Sequence, residues 1–247
     1  MEGTPSHFKG AERPVESVGW EDCQRFCEAW NQRLPNVQAR LPTEAEWEYA
    51  CRGGTTNAFN DNSACTAPEG EDPALNRLGW YDKNSGGETY LVAQKDANAW
   101  GLYDMHGNVW EWCQDWFGKY EPGAQTDLRG PNTGDDRVVR GGCWDFHVWG
   151  CRSACRGGFR PGDRDGRLGF RLAAGQPPEA VERSERREAE GADAPGPRDE
   201  ARRGKSGEGS PHSRSTQILM ECGDLSQLSS ARPVASLHSA SWFEPAG

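Results

Sequence analysis

The sequence predicts an α+β fold of low regular secondary structure, with short antiparallel strands and two helices. Three observations predict it. Residues 19–34 and 43–53 carry helical spacing of apolar residues with recognisable ends. In DANAWGLYDMHGNVWEWCQDWF, residues 96–117, tryptophans alternate with Gly, Asn, Asp and Glu, so large apolar plates sit on a sharply turning backbone. Short alternating pieces such as NVWEW, RVVRGG and LGFRLA give strands of only a few residues. A core held together by turns leaves the surface loops to carry function.

Taken in order, residues 14–18 (PVESV) read as an extended segment leading into the first helix. Trp20, Cys23, Phe26, Cys27 and Trp30 fall on one face of that helix and Glu21, Asp22, Gln24, Arg25 and Glu28 on the other. The acidic first turn suits the positive helix end. Cys23 and Cys27, four residues apart, read as core cysteines. The second helix begins at Thr43, an N-cap with Glu46 three residues on, buries Ala45, Trp47, Ala50 and Cys51, and ends where Gly53 takes the left-handed conformation.

Residues 55–78 read as a long irregular loop. Its Asn60, Asp61, Glu71, Asp72 and Asn76 are hard-cation ligand types, so the loop is either solvated or organised by calcium. Residues 79–81 and 89–92 read as short strands around KNSGGE. In the strand that follows, alternation places Val109 and Glu111 on one side and Trp110 and Trp112 on the other. A buried Glu111 needs a bonding partner or an ion. Asn108, Glu111 and Asn76 are accordingly the candidate ligands of a structural calcium. Residues 137–142 form a strand ending in glycines, 143–167 a loop with brief extended pieces, and 168–173 the closing strand.

Composition sets the limits of this domain. Of 247 residues, only about the first 174 can support a core; from Gly175 on the chain is rich in Pro, Gly, Ser and mixed charge and reads as a disordered tail, 175–247. Within it, residues 217–228 (QILMECGDLSQL) carry an apolar patch that suits a short helix or docking motif, or nothing in particular. Residues 1–11 read as a flexible lead-in. The formal charge of -10, with acids and bases interspersed, argues against nucleic acid as a partner. Arg152, Arg156, Arg160, Arg164, Arg167 and Arg171 make one stretch locally basic, either to attract an anion or to pair with nearby aspartates and aromatics. No apolar run reaches a membrane span and no signal peptide is visible, so membrane is not an expected partner and the cytoplasm is the expected location. The nine cysteines match no paired zinc knuckle; Cys151 is spaced to pair with Cys155 or Cys143.

The segments RPVESVGWEDCQRFCEAW, RLPTEAEWEYACRGG, GWYDKNSGG, NAWGLYDMHGNVWEWCQDW, RVVRGGCW, CRSACR and LGFR, in that order, resemble the formylglycine-generating enzyme (sulfatase-modifying factor) superfamily over roughly residues 12–173. The resemblance implies a C-type lectin-like fold, often with bound calcium. Members usually carry a further stretch before the position matching Pro14, which implies an N-terminally truncated domain at 12–174.

The resemblance also implies what an oxidase would need. Oxidases of this superfamily hold copper between two cysteines after the GGS motif. Here Phe146 stands where the first is expected, Cys151 matches the second, and Cys143 replaces the serine. A formylglycine-generating oxidase acting on a peptide cysteine, with Cys151 and Cys143 as its catalytic pair and copper as its cofactor, is therefore the alternative reading. One thiolate cannot make the two-sulfur site that Cu(I) favours.

The stretch WDFHVWGCRSACRGGFRPGDRDGRLGFR instead resembles the variable region of proteins diversified by retroelements, in which Asn codons are replaced at adenines. Its occupants Asp145, Phe146, His147, Val148, Gly150, Cys155, Gly157, Gly158, Phe159, Gly162, Asp163, Asp165, Gly166 and Arg167 lie in or near the set such replacement generates, while Trp144, Arg152, Ser153, Arg156 and 168–171 hold the pattern. This implies a ligand-binding or display domain, more a binder than an enzyme, with a variable surface site at 143–167. Asp145, Phe146, His147, Trp149, Phe159, Asp163 and Asp165 are its candidate ligand-binding residues, and a protein or other surface ligand its partner.

Overall fold

The computed structural model describes residues 4–34, 38–120, 123, 128–175, 218–222 and 236–237. In chain order these contain α1 (Trp20–Arg33), β1 (Ala39–Arg40), α2 (Glu44–Arg52), α3 (Pro73–Leu78), β2 (Trp110–Trp116), β3 (Arg137–Arg140), a 3-10 helix (Val148–Cys151), β4 (Arg156–Phe159), β5 (Leu168–Gly169), β6 (Leu172–Ala174), β7 (Ile218–Cys222) and β8 (Ser236–Leu237).

The second helix forms as its caps dictate. Thr43 accepts from the Glu46 amide while the Glu46 carboxylate accepts from the Thr43 amide, and Gly53 closes α2 at φ 53°. Cys23, Phe26, Cys27 and Trp30 are the buried residues of α1. The expectation of two helices is corrected to three among the described residues. The third arises inside the stretch read as a loop: Asp72 accepts from the amides of Ala74 and Leu75, and Pro73 starts the first turn where its missing N–H costs nothing. Six residues are too few to show periodicity, which is why only the cap could have announced it.

The expectation of purely antiparallel strands is also corrected. One sheet runs β4-β3-β2-β5, and β5 lies parallel to β2, with Trp110 beside Leu168 and Glu111 beside Gly169. The other runs β1-β6-β7-β8. Two-residue strands carry no information about direction, and β5 takes its direction from the loop at 160–167 that returns it to the sheet. Residues 79–81 and 89–92 are not strands. The Asn108 side chain supplies the partner a strand would have had, accepting from the Tyr90 amide at 3.0 Å and donating to its carbonyl at 3.2 Å.

Alternation along β2 holds. Trp110 and Trp112 enter the main core with Val139, Cys143, Leu168, Phe170, Leu172 and the apolar face of α1. Glu111 is buried on the opposite face, where its carboxylate accepts from Trp47 Nε1 at 2.6 Å and pairs with Arg171 at 2.5 and 2.6 Å. Residues 4–13 are coil yet packed: Ser6 is buried, the Phe8 amide donates to Glu16 at 2.7 Å, and the Phe8 ring meets Trp144 edge-on. Of the segment read as a tail, β7 pairs with β6 as an extended strand where the sequence suited a helix; the rest, Gly175 and β8 apart, lies outside the described residues.

Replacing Trp112, which has no exposed surface, by Ala should cost about 3 to 5 kcal/mol in chemical denaturation. Asp145→Ala should cost less than about 1 kcal/mol, because its side chain is exposed and its ion pair is solvated. Equal midpoints for the two variants would contradict the division into core and surface. Glu111→Gln leaves the buried Arg171 guanidinium without its counter-charge and should cost about 3 to 5 kcal/mol.

Candidate ligand-binding site

The loop at 143–167 leaves the sheet where Gly141 and Gly142, at φ 98° and 80°, turn the chain out of β3. Its backbone is then fastened at intervals to the frame. The Trp144 amide donates to the Asn108 carbonyl at 2.9 Å and its indole to Gly166 at 3.0 Å; Ser85 Oγ donates to the Trp144 carbonyl at 2.6 Å. Asp82 binds the Phe146 carbonyl through its amide, and Ser153 reaches the Ala58 carbonyl through both its amide and its hydroxyl.

The central anchor is His106, fully buried below the 3-10 helix. Its Nδ1 faces the Cys151 carbonyl at 2.7 Å and must donate, while its Nε2 faces the Asn60 amide at 3.1 Å and must accept. Only the neutral ring satisfies both, and burial pulls its pKa down to about 4.

On this frame the candidate residues separate. Asp145 and Trp149 are exposed, Trp149 by 52%; Phe146, His147, Phe159, Asp163 and Asp165 are half-buried. Phe146 packs edge-on against Trp110 at 5.4 Å and stacks on His147 at 4.7 Å. Phe159 meets Trp112 edge-on at 6.3 Å, so both phenylalanines lean on the core with one side and offer only the other. Arg167 lies between Asp165 at 2.7 Å and Asp145 at 3.5 Å, and its guanidinium holds the Asp165 carboxyl below the usual range. Asp163 accepts from the Arg160 amide at 3.0 Å and shapes a turn. Two cavities found elsewhere, one lined by Val92, Asp104, Asn108 and Glu111 and the other by Asp61, Arg77, Lys95 and Tyr103, include no residue of this loop.

The metal candidates are each held by protein partners. Glu111 is committed to Arg171 and Trp47, Asn108 to the Tyr90 backbone, and Asn76 accepts from the Tyr81 hydroxyl at 2.8 Å. Only Asn108 and Glu111 line a common cavity. Asp61 pairs with Arg77, and Asp72 caps α3 and binds Thr66. Among the described residues no group of three or more His, Cys, Asp or Glu side chains is placed to hold a metal.

The two cysteines of the oxidase reading are both buried. Cys143 packs in the main core and Cys151 in a second cluster with Phe59, Leu75 and Tyr81; all eight described cysteines are free thiols. Burial pushes both thiols far up, and Cys143 donates to Asp145 at 3.0 Å. A buried protonated thiol is a poor ligand.

Residues 2–175 match the Sulfatase-modifying factor enzyme 1-like domain. The chain belongs to that family. It is 38% identical over 176 residues to the formylglycine-generating enzyme of Mus musculus, covering 68% of this chain and 45% of the relative. It is 39% identical over 167 residues to serine/threonine-protein kinase pkn1 of Chlamydia pneumoniae, covering 66% of this chain and 24% of that one. The chain thus spans under half the length of these curated relatives. Among solved structures, Treponema denticola variable protein 1 superposes with a TM-score of 0.62 at 32% identity, covering 71% of this chain and 78% of that one. No helix among the described residues is long and apolar enough to cross a membrane.

Sequence reasoning missed two features of this face. His106 looked like one scattered histidine, and nothing local marks it as an anchor. The Arg152 guanidinium carbon sits over the Trp149 ring at 3.6 Å, which the W-x-x-R spacing could have suggested.

The anchor gives a pH dependence of defined sign. His106 is neutral when folded, with a pKa near 4 against about 6.5 unfolded, so its contribution is full above pH 6.5 and is lost as pH falls toward 4. Asp115, which burial raises to about 6, runs the other way: its contribution is present below about pH 4 and lost as pH rises through 6. His106→Gln should therefore lose distinctly less stability than the parent between pH 7 and pH 4.5, by about 2 kcal/mol in denaturant titrations. Equal losses would remove His106 from the account.

Proposed function

We propose that this domain binds or displays a ligand through the loop at 143–167, on a frame held by side chains outside the loop. The observation that carries the reading is the contrast within the loop. Trp149 is half exposed while both of its chain neighbours, Val148 and Gly150, are buried. An exposed tryptophan on a backbone pinned by Pro68, His106 and Ser153 is placed there by the fold. Rigid aromatic side chains beside polar ones are the usual composition of binding hot spots.

Asp145 and Trp149 are the exposed members of the set, with Phe146, His147, Phe159, Asp163 and Asp165 supporting them from half-buried positions. The likeness to the Treponema variable protein supports a surface tolerant of exchange. Gly162 fits the same picture, since a Cβ there meets no atom within 4 Å. The oxidase reading would require Cys143 and Cys151 to act as thiolates together, and their burial works against it. A structural calcium near Asn108 and Glu111 would have to displace the Arg171 and Tyr90 contacts described above.

The test is a library. Randomising positions 145, 147, 149 and 162 together in the full chain should leave most members folded, with thermal midpoints within a few degrees of the parent, and selection against unrelated target proteins should yield binders. A library in which most members unfold, or one that stays folded but yields none, would refute the proposal.

A further inference from the structure

The arginines of the loop are sorted by the fold. Arg156 pairs with Glu44, Arg164 with Asp22, Arg167 with Asp145 and Asp165, and Arg171 with Glu111. Among the described residues, Arg152 and Arg160 alone of the six have no carboxylate within ion-pair distance.

Arg152 is the more organised of these two. Its Nε donates to the Trp149 carbonyl at 2.9 Å, and its guanidinium carbon sits 3.6 Å above the Trp149 ring. Both fixings act on the inner edge of the group. The two terminal nitrogens keep their fork geometry with no described acceptor, beside an indole that is 52% exposed. The backbone that carries the indole is fixed, because the Trp149 amide is bound to the Pro68 carbonyl at 3.2 Å and nearby Val148 and Cys151 are buried in the second core cluster.

A fixed guanidinium fork matches a planar carboxylate through two parallel hydrogen bonds, and stacking means that little side-chain freedom is lost when it forms them. We infer that Arg152 and Trp149 form a recognition point for an acidic peptide segment, the fork taking an Asp or Glu carboxylate and the open part of the indole taking an apolar side chain next to it. This rests on the proposal that 143–167 is the binding face, and it names the class of partner. A polyanion such as nucleic acid fits less well. It needs a row of uncompensated cations, whereas the neighbouring Arg156, Arg164 and Arg167 are already neutralised and the chain carries a formal charge of -10.

The experiment is selection of a random twelve-residue peptide display library on the full chain, followed by affinity measurement of the enriched peptides. Enriched sequences should share an Asp or Glu beside an aromatic or large aliphatic residue. Arg152→Gln should weaken them roughly tenfold or more, and Arg152→Lys by nearly as much because an ammonium cannot form the fork. Arg25→Gln, which removes the same charge from an exposed site on α1, should leave them unchanged. Circular dichroism and the thermal midpoint of each variant separate lost binding from lost folding. Peptides without acidic residues, binding indifferent to Arg152→Gln in a folded variant, a single-stranded oligonucleotide that binds more tightly than any peptide, or no enrichment would each overturn the inference. If the randomised loop library still yields binders in those cases, the binding face stands and only its acidic partner falls.

Discussion

The pairing of Glu111 with Arg171 is the constraint on which the rest depends. A carboxylate and a guanidinium are both buried, and each is stable there only because the other is present and the remaining lone pairs and protons are used. The Trp47 indole takes part of the Glu111 charge, and Arg171 also reaches the Tyr103 carbonyl at 3.2 Å. One ion pair thereby joins α2, β2, the end of the chain's sheet portion and the turn at 103–104. None of these elements is long enough to be stable alone, so their mutual position is set by which charges have to meet.

The same economy governs the loop at 143–167. It has little regular structure, and one histidine, one serine and several backbone groups outside it hold its course. Because these fixings act on the backbone, they do not restrict which side chains project outward. The ion pairs do restrict them: Arg167 draws Asp145 and Asp165 together, and Arg164 ties the loop to α1 through Asp22. What is left over after this pairing, among the described residues, is an exposed indole carrying a guanidinium with no carboxylate within ion-pair distance.

Much of the frame was legible in the sequence because it is written in local chemistry. The capping box at Thr43 and Glu46, the apolar face of α1, and the alternation of Trp110, Glu111 and Trp112 all depend on neighbours within a few residues. What could not be read depends on partners far along the chain. The parallel placement of β5, the Asn108 side chain standing in for a strand beside Tyr90, and the closure of Glu111 by Arg171 sixty residues away leave no periodic trace. The candidate site was legible as a segment but not as a surface. Asp145 and Trp149 project as read, whereas Phe146 and Phe159 are shared with the core, and Arg152 gained importance only when its stacking partner was known.

Phe146 and Gly150 show a further property of the loop. The ring of Phe146 occupies the place a Cβ at position 150 would need, and Gly150 makes room by having none. The two positions therefore divide a single fixed volume. A bulky residue at one end forbids even a methyl group at the other, and a smaller residue at 146 would release space that 150 could fill. Substitution at one of these positions is therefore constrained by the residue at the other, so the two behave as a compatible pair rather than as independent sites.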